Sequence, residues 1–334
     1  MSEFAVEATD IVRTFHDGSF RALDGVTLRV PTGQVFGLLG PNGSGKTTMV
    51  RILSTILLPT SGTAMVNGID VVKHPGQVRK VIGLAGQFAA VDENLTGFEN
   101  LRMVSFLNHM EKSAAIQRSH ELLVDFGLDA FANKQAKTYS GGMRRRLDLA
   151  AALVASPPIL FLDEPTTGLD PQSRQDLWSI IERLVESGTT ILLTTQYLEE
   201  ADRLCKQLVV LDHGKIIAEG TSAQLKSQLG NTVLVLTFAS TDDAKRANGL
   251  IADIPDKPAN VDGTVIEATV SNGPAAAADA LRRIDAANIT LVGLSLREPS
   301  LDDVFLSLTG HKAEDADAVE APATGRRAKR KANV

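Results

Sequence analysis

The sequence predicts an α/β fold in which a largely parallel sheet is covered by helices on both faces. Three short runs, QVFGLLG, ILFLD and TTILLTT, are mostly apolar, as expected for strands buried on both faces of a parallel sheet. Segments with helical periodicity separate these runs along the chain. A second block of alternating strand and helix signals follows residue 230, and it predicts a small α+β domain.

The elements of the first block follow in order. Residues 4–39 contain the strand signals FAVEATDIV, ALDGVTLRV and QVFGLLG, and a helix begins after Gly45. A strand pair surrounds GTAMVNG, and VIGLAGQ predicts another buried strand. The pattern is helical from about 88 to 155, and it is followed by ILFLD, a helix over 171–187, TTILLTT and LVVLDHGKIIAEG. We therefore predict one domain over residues 1–230.

The second block alternates strand and helix three times. Its segments are TVLVLTF, DDAKRANGLIADI, TVIEATV, AAAADALRRIDAAN, TLVGLSL and SLDDVFLSLTG. They predict an accessory domain over residues 231–310. Residues 311–334 have no periodicity and combine an acidic, Ala-rich run with a basic one, so a disordered tail is predicted there.

Composition narrows the class of protein. The net charge of −6 over 334 residues gives no electrostatic reason to expect a nucleic acid partner. The single cysteine, Cys205, cannot form an intramolecular disulfide, which indicates a reducing compartment. The first residues lack the pattern of a signal peptide, and the longest apolar stretch is too short to span a membrane. We expect a cytoplasmic protein whose membrane role, if it has one, depends on a partner.

The strongest motif is a glycine-rich loop between a predicted strand and a predicted helix. It matches G-x-x-x-x-G-K-[ST] and comprises Gly40, Pro41, Asn42, Gly43, Ser44, Gly45, Lys46, Thr47 and Thr48. The glycines let backbone N–H groups converge on phosphate oxygens at a helix N-terminus. Lys46 is placed to reach the β- and γ-phosphates, and the Thr47 hydroxyl is placed to bind Mg²⁺. The motif predicts a P-loop that binds a nucleoside triphosphate.

A buried strand, ILFLD, ends in two adjacent carboxylates. Asp163 is placed to hold Mg²⁺ through water, and Glu164 is placed to orient or deprotonate an attacking water. By itself the run could be an acidic turn after a core strand. Its occurrence after a P-loop favours a catalytic role. The predicted catalytic residues are Glu164, Lys46 and, directly after the later run TTILLTT, Gln196.

A second anion-binding surface is predicted at YSGGMRRRLD. Ser140, Gly141 and Gly142 immediately precede a predicted helix, so backbone N–H groups and the helix dipole face outward there. Without the other motifs, an ordinary helix cap would be the better interpretation.

Taken in order, these motifs resemble the ATP-binding subunit of ABC transporters over residues 4–230. The resemblance implies a P-loop fold with a mixed sheet, an antiparallel subdomain and a helical subdomain at about 88–155. It also implies a head-to-tail homodimer, in which each ATP lies between the P-loop of one chain and the Ser140 helix of the other. Asp170, in TGLD, would then lie across the dimer interface. The implied cofactors are ATP and Mg²⁺.

The resemblance also implies roles for single residues. Phe15 matches the aromatic position that stacks on adenine; Phe20 is a weaker candidate, and either could be a core residue. Gln87 matches the glutamine that contacts Mg²⁺ and the attacking water. The helical segment that follows it would dock onto a membrane subunit.

Gln196 stands where most members of that family have histidine. Its amide can donate to a γ-phosphate oxygen but cannot take up a proton, so the base role is left to Glu164. TTQYLEEAD, YSGGMRRRLD and PSLDDVFLSLTG together resemble the daunorubicin-resistance type of export ATPase, over the chain to about residue 310. This implies a peripheral subunit on the cytoplasmic face of the membrane, with separate permease subunits and a hydrophobic drug or lipid as cargo.

Two other functions agree less well with the sequence. A non-transport ABC ATPase acting on the ribosome or nucleic acid is disfavoured by the single nucleotide domain and the absence of a basic face. A polysaccharide exporter, with 231–310 as the substrate-binding module, is disfavoured because that region is nearly free of aromatic residues. A dimer-stabilising or regulatory role for 231–310 is the preferred hypothesis.

Overall fold

A computed structural model describes residues 3–86, 91–227 and 232–309. Gln87 and the predicted tail over 311–334 lie outside the described residues. Within those ranges, no helix has both the length and the apolar character needed to cross a membrane.

Strands and helices alternate along most of the chain. The strands are β1 Phe4–Phe15, β2 Phe20–Pro31, β3 Val35–Leu39, β4 Ser61–Val66, β5 Ile69–Asp70, β6 Ile82–Ala85, β7 Ile159–Asp163, β8 Thr190–Thr195, β9 Gln207–Asp212, β10 Lys215–Gly220, β11 Thr232–Phe238, β12 Asn260–Asp262, β13 Val265–Val270 and β14 Leu291–Arg297. The α-helices are α1 Lys46–Leu53, α2 Pro75–Val81, α3 Gly97–Leu107, α4 Lys112–Asp125, α5 Gly141–Ala152, α6 Pro171–Glu186, α7 Leu198–Leu204, α8 Ser222–Ser227, α9 Thr241–Leu250, α10 Gly273–Ala286 and α11 Leu301–Thr309.

A six-stranded sheet, in the order β10-β9-β3-β8-β7-β6, forms the centre of the domain predicted over residues 1–230, which is called the nucleotide region below. The strands from β9 to β6 are parallel, and β10 pairs antiparallel with β9. Every residue of β3, β7 and β8 is buried, because their alternate side chains enter two different cores. Phe36 and Phe161 pack on one side of the sheet, whereas Leu160 and Leu193 pack on the other.

An antiparallel sheet of order β2-β1-β4-β5 packs with α1 over the core that contains Phe36 and Phe161. The helices α3, α4 and α5 form part of the other core, which contains Leu160 and Leu193 and is called the helical core. α3 begins with a capping box, in which the Thr96 hydroxyl accepts from the Glu99 N–H and the Glu99 carboxylate accepts from the Thr96 N–H. The predicted class, an α/β fold with a mixed central sheet, an antiparallel part and a helical part, is confirmed.

The C-terminal region forms a third sheet, antiparallel, in the order β12-β13-β11-β14. The helices α9 and α10 pack on it around a core that includes Leu234, Leu236, Phe238 and Ile266. The alternation of strands and helices agrees with the sequence pattern except for β12, which is only three residues long. Domain boundaries at 230 and 310 stay a prediction.

The last helix, α11, does not pack in that third core. Leu301, Val304 and Phe305 are buried instead in the helical core of the nucleotide region, where α11 contacts α7 and α8. Arg297, at the end of β14, forms ion pairs with Asp303 of α11 and with Glu267 of β13. The C-terminal region is therefore joined to the nucleotide region by an apolar contact in addition to the connecting chain.

Candidate nucleotide-binding site

The glycine-rich loop connects the end of β3 to the start of α1. Gly45, the residue before α1, has φ +110°, a conformation that residues other than glycine rarely adopt. A Cβ on Gly40 would clash with the carbonyl oxygen of Leu211 on β9. Both glycines are therefore required by the path of the loop itself.

Lys46 lies at the base of this loop with its side chain 3% exposed. Its Nζ donates to the carbonyl oxygens of Gly40 at 2.7 Å and Pro41 at 2.9 Å. The same Nζ lies 3.3 Å from Oε1 of Glu164. A buried ammonium group thus joins the loop to the end of β7, where it is placed to attract phosphate oxygens.

Asp163 ends β7 and is almost completely buried. Its Oδ1 accepts hydrogen bonds from Thr194 Oγ1 at 2.6 Å and from Thr47 Oγ1 at 3.2 Å. Thr194 is the direct partner of Asp163 in the pairing of β7 with β8. The structure therefore brings the two predicted Mg²⁺ ligands, Thr47 and Asp163, together, and Thr194 orients the carboxylate.

Glu164 follows β7 in a left-handed backbone conformation, with φ +49°. Its N–H donates to the carbonyl oxygen and to Oγ1 of Thr194, at 3.1 and 3.0 Å. Strained backbone positions of this kind cluster at active sites, where the surrounding contacts maintain them. Here the backbone conformation of Glu164 and its contacts with Thr194 direct the Glu164 carboxylate to the Lys46 side of the loop.

A cleft of about 300 Å³ opens above the loop. It is lined by Phe15, Phe20 and Ala22, by Asn42 to Thr48, and by Glu164. The rings of Phe15 and Phe20 lie 6.5 Å apart in a stacked orientation, and the Arg13 guanidinium carbon is 4.6 Å from the Phe15 ring centroid. Phe15 and the P-loop, predicted from separate parts of the sequence, thus share one cleft. A larger cavity of about 520 Å³, near Arg118 and Phe126, contains none of the predicted residues.

Ser140 caps α5, and its hydroxyl accepts from the Met143 N–H at 3.2 Å. Ser140 and Gly141 are exposed and lie outside the cleft lining of their own chain. A Cβ on Gly142 would clash with Ser173 Oγ, which donates to Oδ2 of Asp170 at 2.6 Å. The hydrogen bonds from Ser173 hold the pKa of the Asp170 carboxyl below its usual range. The predicted second anion surface and Asp170 are therefore adjacent to each other, away from the P-loop cleft.

Gln196 follows β8 directly, next to the strand that carries Asp163. Its Oε1 is buried and has no hydrogen-bond partner in the part of the chain that the structure describes. The helix α7 begins two residues later and carries Glu200, which is fully buried and accepts from Trp178 Nε1 at 3.0 Å. Burial raises the pKa of the Glu200 carboxyl.

Sequence reasoning missed two residues that organise this site. Thr194 belongs to the run TTILLTT, whose apolar pattern indicates only a buried strand. A hydroxyl in a buried strand needs a hydrogen-bond partner, and this was the signal that could have identified Thr194. Arg145 is one of three consecutive arginines, and it alone is buried, with hydrogen bonds to backbone carbonyls on two sides of the site. Asp148 follows Arg145 by three residues, a spacing that predicts an ion pair on one face of a helix, and this was the signal that could have identified Arg145.

The residues present fit a nucleoside triphosphate with Mg²⁺. Thr47 and Asp163 supply oxygen ligands of the type that Mg²⁺ prefers. The Thr47 Oγ1 and Asp163 Oδ1 atoms lie 3.2 Å apart. Among the described residues, the buried Ser44 Oγ has no hydrogen-bond partner and lies in the glycine-rich loop. Lys46 supplies the positive charge that a polyphosphate requires.

Comparison with known proteins gives two family matches. Residues 23–167 match the model described as ABC transporter, and residues 220–309 match the model described as ATP-binding protein DrrA1-3-like, C-terminal domain. The first match covers the nucleotide region from within β2 to just beyond β7, and the second covers the third sheet and α11.

Individual relatives resemble nearly the whole chain. The daunorubicin/doxorubicin resistance ATP-binding protein DrrA of Streptomyces peucetius is 46% identical over 95% of this chain and 96% of its own length. The doxorubicin resistance ATP-binding protein DrrA of Mycobacterium tuberculosis is 44% identical over 93% of this chain and 96% of its own. A solved dimeric ATP-binding cassette, in a post-hydrolysis state with ADP and phosphate, superimposes with a TM-score of 0.60 at 27% identity, covering 65% of this chain and 98% of that one.

The fold, the order of the motifs and these matches identify an ABC-type ATPase, and the predicted ABC fold is confirmed. The chain belongs to the ATP-binding subunits of ABC transporters, and within them to the daunorubicin-resistance type. The alternative of an ATPase acting on the ribosome or nucleic acid has no support among these relatives.

Proposed function

We propose that this chain powers efflux of a hydrophobic drug or lipid by hydrolysing ATP at two equivalent sites in a homodimer. The observation that carries the proposal is that Lys46, Thr47 and Glu164 line one cleft, where Thr47 is hydrogen-bonded to Asp163. Ser140 is exposed elsewhere on the same chain. A nucleotide in that cleft would lack the second anion surface unless another copy supplied it.

The residues of the cleft would have distinct tasks. Lys46 and the loop N–H groups bind and orient the phosphates, and Phe15 stacks on the adenine. Thr47 and Asp163 would hold Mg²⁺, which when bound neutralises charge on the β- and γ-phosphate oxygens. Glu164 orients the attacking water and accepts its proton at a carboxylate oxygen.

Three more predicted residues complete the proposed site. Gln196 donates its amide N–H to the γ-phosphate, and its position at the end of β8 supports that role. Gln87 would contact Mg²⁺ and the attacking water, although it lies outside the described residues. Asp170 would approach the site of the partner chain, because Ser173 links it to the start of α5.

The transport partners are proposed to be integral membrane permease subunits. The relatives are named for resistance to daunorubicin and doxorubicin, which supports a drug as cargo. Met103, Phe106 and Leu107 form an exposed apolar face on α3, and with Leu95 they line one shallow depression; this face supports docking of such a subunit. The chain would then be peripheral, on the cytoplasmic face of the membrane, with 231–310 as a dimer-stabilising or regulatory domain.

Heterodimers with one live site test the proposed arrangement. A Lys46→Ala chain, paired with a wild-type chain through different affinity tags, leaves only the wild-type P-loop active. Placing Gly141→Asp in the Lys46→Ala chain should then lower the rate of ATP hydrolysis about 100-fold. The new carboxylate would face the γ-phosphate of the ATP bound by the wild-type chain. A Cβ at Gly141 meets no atom within 4 Å, so the substitution fits the fold.

The same substitution in the wild-type chain is the matched control. There Gly141→Asp would face only the dead site, and the live site should keep its rate within about twofold. Equal effects of the two placements, or none from the trans placement, would contradict the composite site.

A further inference from the structure

Arg145 is a buried charged side chain with an unusual set of partners. It lies one turn into α5 and is 9% exposed. Nε donates to the Pro165 carbonyl oxygen at 2.7 Å, and Nη2 donates to the Asp163 carbonyl oxygen at 3.3 Å. Nη1 donates to Asp148 Oδ2 at 3.1 Å and also to the Gly86 carbonyl oxygen.

These backbone acceptors belong to two separate parts of the nucleotide site. The carbonyls of Asp163 and Pro165 flank Glu164, so they define the path of the chain on both sides of that carboxylate. The Gly86 carbonyl, just after the end of β6, belongs to the peptide bond that leads into Gln87. One planar guanidinium therefore fixes the spacing between both parts, which a single point charge cannot do.

The charge of Arg145 is balanced inside the protein. Burial lowers the pKa of the guanidinium, while Asp148, Asp163 and Glu200 oppose that shift by attraction. Asp148 lies one turn further along α5 and is 3% exposed. Removing one partner of a buried ion pair is strongly destabilising, so truncation to alanine is a poor test of function.

The helix that carries Arg145 also carries the surface proposed to meet the partner's nucleotide. Ser140 caps α5 only five positions earlier, within a continuous helix, and Gly142 packs closely against Ser173. A helix of this length moves as a unit, because its backbone hydrogen bonds link successive turns. A shift of the Asp163–Pro165 loop would therefore reach Ser140 through Arg145.

We propose that Arg145 is a positioning residue that couples the two half-sites contributed by one chain: its own catalytic loops and the Ser140 end of α5 presented to the partner. The inference rests on the proposed head-to-tail dimer. Through the contacts of Arg145 within one chain, a movement at that chain's own ATP would be transmitted to the ATP that the partner's P-loop binds.

The heterodimer with one live site separates this role from simpler ones. Arg145→Lys keeps the charge beside Asp148 but loses the fork that reaches the carbonyls of Pro165, Asp163 and Gly86 together. It is placed either in the chain with the live P-loop or in the Lys46→Ala chain, which supplies only its α5 to the live site. We expect kcat for ATP to fall about tenfold in both placements, with KM changed less than about twofold.

Arg146→Lys is the matched control. Arg146 is the next residue on α5, and its Nη1 donates to the Phe126 carbonyl oxygen at 3.2 Å, away from the cleft. It should leave kcat within about twofold in either placement. Thermal unfolding of both variants checks the fold. If Arg145→Lys does not fold, the double variant Arg145→Gln with Asp148→Asn, which removes both charges of the buried pair, is measured in the same two placements.

Three outcomes would overturn the coupling role. A loss of rate only in the live chain would mean that Arg145 serves its own loops alone. A loss only in the Lys46→Ala chain would mean that it supports α5 alone, and no loss in either would leave it without a functional role. Failure of the proposed dimer itself is detected separately, because Gly141→Asp in trans would then leave the live site active.

Discussion

Glu164 and Gln196 follow neighbouring strands, but their surroundings suit them to different tasks. Glu164 is a carboxylate beside Lys46, held by two hydrogen bonds from its N–H to Thr194. Gln196 is an amide, which can donate to a phosphate oxygen but has no proton-accepting group of suitable basicity. These proposed roles are predicted from the sequence alone, since they depend on side-chain chemistry more than on exact geometry.

Substitution of each residue measures that division. Glu164→Gln should lower kcat for ATP by about 100-fold or more, because it removes the base while keeping the shape. Gln196→Ala should lower kcat by about tenfold or less, since it removes one hydrogen bond to phosphate. Steady-state hydrolysis by the full chain gives both values, with nucleotide binding measured alongside. A larger loss from Gln196→Ala than from Glu164→Gln would show that the assignment of the base is wrong.

The P-loop and the two carboxylates could be predicted as one candidate site because they are contiguous with clear strand and helix signals. The sequence did not predict Thr194 as the partner of Asp163, since that contact depends on the register of β7 against β8. Apolar runs such as ILFLD and TTILLTT indicate strands but do not specify which residues face each other. The buried position of Arg145 could not be predicted either, because this requires knowing which side of α5 faces inward.

At the scale of elements, the continuous apolar strands were the easiest to predict and the connections between them the hardest. The helical segment predicted over 88–155 contains α3, α4 and α5, but a stretch without α-helix separates α4 from α5. Gly127 has φ +62° just after α4, where glycine permits the chain to leave the helix. The three-residue β12 was missed because two-residue periodicity cannot be recognised over so short a segment.

The helix α11 was predicted from PSLDDVFLSLTG, but its packing was not. Its apolar side chains could have completed the core of the third sheet, whereas they enter the core beside α7 and α8. Both arrangements bury the same residues, so hydropathy alone does not choose between them. The ion pairs of Arg297 with Asp303 and Glu267 add a directional constraint between β14 and the start of α11.

Removal of one aromatic ring tests the contribution of this contact. Phe305 is fully buried, and Phe305→Ala should lower the free energy of unfolding by about 3–5 kcal/mol through lost burial and a residual cavity. Leu308→Ala on the same helix, where the side chain is 40% exposed, should cost less than about 1 kcal/mol. Denaturant unfolding of the full chain measures both, and equal stability of the two variants would mean that α11 is not held by this core.

At the scale of the whole molecule, the apolar face of α3 is the surface proposed for the membrane subunit. Leu107, at the end of α3, is 72% exposed, and Phe106 beside it is 42% exposed. Exposed apolar side chains gathered on one helix face commonly mark a protein interface. The nucleotide cleft is lined by other elements, so docking on α3 would leave ATP access open.

A charge on this face should separate ATPase activity from transport. Leu107→Glu should reduce recovery of a polytopic membrane protein with the tagged chain by at least about tenfold, because docking would bury an unpaired carboxylate. Hydrolysis by the isolated chain should stay within about twofold. Val124→Glu on α4, where the side chain is 64% exposed, is the control and should change neither quantity. Unchanged co-purification with Leu107→Glu would place the permease contact elsewhere.

The return of α11 to the nucleotide region has a consequence for biosynthesis. The surface of α7 and α8 that α11 covers is translated well before the residues that cover it, since Leu225 precedes Phe305 by 80 positions. At about 5–20 residues per second, the ribosome leaves that apolar strip uncovered for roughly 4–16 s. The nucleotide region therefore cannot reach its final packing until α11 has been translated, and a nascent chain that stalls before α11 presents an open apolar surface to chaperones.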